Sequence, residues 1–62
     1  MKFIKLTDKS GNAIRVNYES IDRYGTSEAG THVQVGYSPV FVKETPEEID
    51  RLIEKAKNRW WR

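Results

Sequence analysis

Sixty-two residues allow one small domain, residues 1–62, and the chain has no cysteine to cross-link it. The same absence removes thiol catalysis and thiolate metal sites, and a single histidine gives no basis for a structural zinc site. The net charge of +2 is unevenly spread: residues 1–54 hold seven basic and nine acidic side chains, whereas the last eight residues hold Lys55, Lys57, Arg59 and Arg62 and no acid.

Lys2 to Thr7 reads as a first strand, with Ile4 and Leu6 on one face and Phe3 and Lys5 on the other. No apolar run approaches membrane-spanning length. Met1 leads straight into this strand without a signal-peptide pattern, so a cytoplasmic protein with no membrane span is expected. Asp8-Lys9-Ser10-Gly11-Asn12 is turn chemistry, since Gly and Asn tolerate positive φ and Asp and Ser bond their own backbone. Ala13 to Asn17 is a second strand with Ile14 and Val16 inward, and the two strands read as a hairpin.

Asn17 to Ser20 interrupts the alternation as a short turn capped by Asn17. Ile21 to Tyr24 reads as a third strand, in which Ile21 and Tyr24 share a face only if the strand is bulged. Gly25 to Gly30 reads as a polar loop. Thr31 to Val35 is a fourth strand with Val33 and Val35 inward. Gly36-Tyr37-Ser38-Pro39 is a tight turn, and Val40 to Lys43 is the last strand. Every link is short, which predicts sequential antiparallel pairing.

The clearest local signal is Thr45-Pro46-Glu47-Glu48. Thr45 is an N-cap, Pro46 suits the first helical position, and Glu48 closes a capping box on Thr45. Ile49, Leu52, Ile53, Ala56 and Trp60 then fall on one helical face, so the helix is expected from Pro46 to about Trp61. Acids at its start and Lys55, Lys57 and Arg59 at its end complement the macrodipole. The expected core joins this stripe to Ile4, Leu6, Ile14, Val16, Ile21, Val33, Val35, Val40 and Val42. The fold class is α+β: a four- to five-stranded antiparallel meander with one C-terminal amphipathic helix packed on one face.

The outward strand positions are Phe3, Lys5, Arg15, Asn17, His32, Gln34, Phe41 and Lys43, and none is acidic. Such a face can be ordinary solvated strand surface. It can also centre a protein interface, or stack bases and meet phosphates through Lys5, Arg15, His32 and Lys43. Phe3, Tyr37, Phe41 and Trp61 are the apolar groups left over once the core is assigned, and they are the candidate protein contacts. Catalysis finds little footing. His32 has no acid at a spacing that guarantees contact, the serines sit in turns, and Gly25–Gly30 lacks a phosphate-loop lysine and a following helix.

Ile4-Lys5-Leu6-Thr7, Gly11, Val16-Asn17, Ile21, Gly30-Thr31-His32-Val33, and Val40 to Glu44 before a short helix make an ordered pattern. It resembles the small flagellar-operon proteins called FlbD or SwrD, which are tied to swarming motility, and short bacterial and phage proteins with the same pattern. The resemblance covers about residues 2 to 54. It implies a non-enzymatic accessory protein and transfers no functional residue. The function expected is therefore protein binding without a cofactor or metal, as a homo-oligomer with a dimer favoured. Binding of single-stranded nucleic acid through the basic and aromatic sheet face is the alternative.

Overall fold

The computed structural model describes residues 2–58. Five strands precede one helix: β1 (Phe3–Thr7), β2 (Ala13–Asn17), β3 (Ile21–Ser27), β4 (Gly30–Val35), β5 (Ser38–Val42) and α1 (Pro46–Asn58), with one turn of 3-10 helix over Tyr18–Ser20. The domain is α+β, and all strand pairs are antiparallel. The meander is divided into a β1-β2 sheet and a β3-β4-β5 sheet. The 3-10 turn makes the division, and the Asn17 side chain caps it by accepting the Glu19 N–H at 2.9 Å.

The hairpin turns follow from glycine. Gly11, at φ +94°, closes the first turn by donating its N–H to the Asp8 carbonyl at 3.0 Å, and the Asp8 carboxylate accepts the Asn12 N–H at 2.8 Å. Gly36, at φ +62°, is the first of two turn residues between Val35 and Ser38, the position that a type II′ turn gives to glycine.

Two boundaries differ from the sequence expectation. β3 does not end at Tyr24 but continues through Gly25, Thr26 and Ser27, and the turn shrinks to Glu28-Ala29. Those three residues carry no apolar side chain, so their strand state comes from pairing with β4 and leaves no periodic trace. β5 starts at Ser38, which brings Pro39 into the strand. Proline cannot donate to a ladder, and it fits because the outer side of β5 is bridged only at Val42, by Asp8 just past β1. The expected bulge is present: the β3–β4 register shifts between Ile21 and Arg23, and Ile21 and Tyr24 both pack against the core.

At the far end the two sheets are stitched together. Asp8 bridges Val42, and the Lys43 N–H donates to the Thr7 carbonyl at 2.8 Å. Glu44 accepts the Thr7 N–H at 2.8 Å and the Thr7 hydroxyl at 2.9 Å. Helix α1 lies across both sheets. Its start is the expected capping box: Glu48 accepts the Thr45 N–H at 2.8 Å, and the Thr45 hydroxyl accepts the Glu48 N–H at 3.1 Å. Ile4 and Leu6 from one sheet, Val33 and Val42 from the other, and Ile49 from the helix form a single buried cluster. Leu52 and Ile53 flank it half-buried, and Ile49 is the fully buried member of the helical stripe. Trp60 and the expected end of the helix lie outside the described residues. No described helix is long and apolar enough to cross a membrane.

Candidate functional site

The outward side chains are ordered by the strand registers, because directly opposed residues share a face. His32 stands opposite Phe41 on one side and Gly25 on the other, and the next row is Arg23, Gln34 and Pro39. The His32 imidazole lies over Gly25, with its Cε1 within ordinary contact distance, 3.9 Å, of where a Cβ would stand. Phe41 keeps 38% of its surface exposed, on a strand whose Val40 and Val42 turn inward. Lys9 of the first hairpin turn sets its Nζ 5.7 Å from the centre of the Phe41 ring. The same ammonium donates to the Ala29 carbonyl, so it ties the turns of the two hairpins together above the ring. A shallow groove of about 560 Å³ runs along this junction past Ala29, Pro39 and Phe41.

The candidate protein contacts are dispersed. Phe3 is 56% exposed and paired with Asn17, six positions before Lys9. That places it roughly 20 Å from Phe41 along the strand direction. Tyr37 is fully exposed at the tip of the β4–β5 turn, at the other end of β5 from Val42. Trp61 lies outside the described residues. Of the three that are described, Phe41 is the one within the three-stranded sheet, on its edge strand β5 beside His32.

The basic set is divided as well. Lys5 and Arg15 are direct cross-strand partners on the two-stranded sheet, while His32 belongs to the three-stranded sheet beside Phe41. Lys43 follows β5 at the joint between the sheets. Lys5 also lines a groove of about 330 Å³, where the carboxylates of Glu44 and Glu48 stand among the cations Arg51 and Lys55 of α1.

Three features escaped the sequence reading. Lys9 looked like a turn residue and lies over Phe41. Glu44 clamps Thr7, 37 positions away. Tyr24 donates its hydroxyl to Asp50 of α1, and that hydrogen bond, with burial and the Asp50 charge behind it, pushes the phenol up to about 12. Beside this contact lies a groove of about 510 Å³, walled by Tyr24 and by Glu47, Asp50, Arg51, Ile53 and Glu54 of α1. Only the helical spacing of these acids is visible in sequence. Compared with models of protein families, with curated proteins and with solved structures, the chain matches none of them.

Proposed function

We propose that this chain is a non-enzymatic protein-binding module that pairs with a second copy of itself through the outer face of β4 and β5. The observation that carries the reading is the position of Phe41: an aromatic ring, 38% exposed, within strand β5 beside His32 of β4 and not at a turn tip or terminus. Pro39 lies two positions away on the same side, and His32, Gln34 and Lys9 surround the pair. An apolar centre inside a polar rim is the usual anatomy of a protein contact. Lys9 over the ring opposes uncontrolled association and favours a closed dimer, in which each copy presents the same patch. The order of turns that resembles the FlbD and SwrD proteins fits the same accessory role.

Sedimentation of the native chain and of Phe41→Ser tests the reading. The native chain should dimerise at high micromolar concentration, and Phe41→Ser should remain monomeric with an unchanged melting temperature. A native chain that stays monomeric defeats the proposal. Salt separates it from the nucleic-acid alternative: an apolar contact survives added salt, whereas phosphate binding weakens steeply. The separation of Lys5 and Arg15 from His32, on different sheets, favours the protein reading.

A further inference from the structure

β3 is the free edge of the three-stranded sheet. β4 pairs with one side of it, and no described strand pairs with the other. At seven residues it is also the longest strand. A free edge is a row of backbone donors and acceptors that an extended peptide can complete. Edges that must stay unpaired are blunted by bulges, charges or proline. In β3 these devices sit at one end only: the bulge lies between Ile21 and Arg23, with Asp22 and Arg23 exposed there. Tyr24, Gly25, Thr26 and Ser27 carry no charge, no proline and no register shift.

The groove beside this edge sets the chemistry of the occupant. Tyr24 is the sheet's one contribution to its wall, and no residue of β4 or β5 lines it. The opposite wall is α1, where Glu47, Asp50 and Glu54 recur at helical spacing with Arg51 the single cation among them. A strand added to β3 alternates its side chains between the two faces of the sheet. Its inner side chains enter the groove and meet Glu47 and Glu54, with Asp50, which accepts the Tyr24 hydroxyl, between them. Its outer ones pass Gly25 and Arg23, which admit a small or uncharged group and oppose a base.

We propose that the β3 edge from Tyr24 to Ser27 takes up an extended peptide segment of a protein partner in which every second side chain is lysine or arginine, those side chains lying in the groove between β3 and α1. The β3 edge of a second copy fits poorly, because its own helix would bring a like set of carboxylates against the first. The surface shares no residue with the Phe41 patch, so the two proposals stand or fall separately.

The test uses a fluorescein-labelled, end-capped seven-residue peptide of alternating lysine and threonine. It is titrated at physiological salt into the full chain and into Phe41→Ser, with anisotropy and amide NMR shifts as readouts. Saturable binding is expected to both proteins, with shifts confined to residues 21–27 and 47–54. Glu47→Lys combined with Glu54→Lys, both exposed positions that circular dichroism can show to be folded, should weaken binding at least about ten-fold. Methylating alternate backbone nitrogens of the peptide keeps its charge and removes its strand donors. Of the two alternations, one should weaken binding by about ten-fold or more and the other should not. Equal binding by both methylated peptides overturns the proposal, since charge attraction alone would then account for the affinity. Absence of saturable binding, shifts centred on Phe41, or β3 shifts that follow protein dilution without peptide also overturn it.

Discussion

The two sheets are covered by the same helix, yet they hold together in different ways. In the three-stranded sheet the central strand β4 is paired on both sides and carries Val33, which has no exposed surface. Its order comes from neighbours a few residues away in the chain. The two-stranded sheet is a lone hairpin, which is marginal in water by itself. It is fixed by Ile4 and Leu6 entering the shared core and by Thr7 bonding to Lys43 and Glu44, all long-range contacts. One sheet is therefore stabilised largely by its own ladders, the other by the rest of the molecule. Dependence of that kind makes β1–β2 the sheet most sensitive to single changes.

The largest expected effect is on the apolar half of that dependence. Leu6 is fully buried on β1, so Leu6→Ala should cost about 2–5 kcal/mol. That is a large share of the stability of a domain this small. Ile14, its half-buried cross-strand partner, should cost clearly less when cut to Ala. Urea midpoints of the two variants compare them directly. Equal losses would mean that the hairpin, and not its insertion into the core, determines the stability of β1.

The polar half is smaller. Glu44→Ala removes the acceptor of both the Thr7 N–H and the Thr7 hydroxyl. A hydrogen bond to a charged group is worth roughly 1.5–3 kcal/mol, and partial exposure of this pair favours the low end. The distinctive readout is where the loss falls. Amide hydrogen exchange should quicken across β1 and β2 and stay slow in β4. A uniform rise across both sheets would show that the joint is not a local clamp.

This contrast also separates what could be read from the sequence from what could not. Every residue assigned to the core from periodicity within the described span, from Ile4 to Ala56, belongs to the observed cluster or packs against it. Alternation and helical spacing report directly on which face is buried. The capping box was legible because its partners lie three residues apart. The extension of β3 was not, because Gly25, Thr26 and Ser27 have no apolar alternation to signal it. The break between the sheets was not legible either: a 3-10 turn and a tight strand link look alike over Tyr18–Ser20. For the candidate surface, Phe41 was found by its parity in the strand. Its cover by Lys9 and the groove beside Tyr24 depend on how distant segments meet, and no local pattern encodes that. The clamp of Glu44 on Thr7 is the extreme case, since a glutamate just before a helix already has an ordinary reading.

The smallest expected effect concerns the three-stranded sheet, through its tie to the helix. Tyr24 donates to Asp50, and the hydrogen bond, then burial, then the Asp50 charge raise the phenol from 10.0 to about 12. Because the folded state prefers the neutral phenol, the contribution of this contact is fully present below pH 10 and fades as the pH rises to about 12. Tyr24→Phe removes the titration along with the hydrogen bond. The native chain should therefore hold a small, constant advantage in urea midpoint over Tyr24→Phe up to about pH 10, and lose it by about pH 12. Comparing the two proteins at each pH isolates the Tyr24 hydroxyl, the one group in which they differ. The effect is small because the pair lies near the surface, where water competes for both partners. Parallel decline of the two proteins across this range would show that the helix is held to β3 by Ile49 and its apolar neighbours alone. The three-stranded sheet would then owe nothing to a polar clamp, and the difference from the two-stranded sheet, which has one in Glu44, would be sharper still.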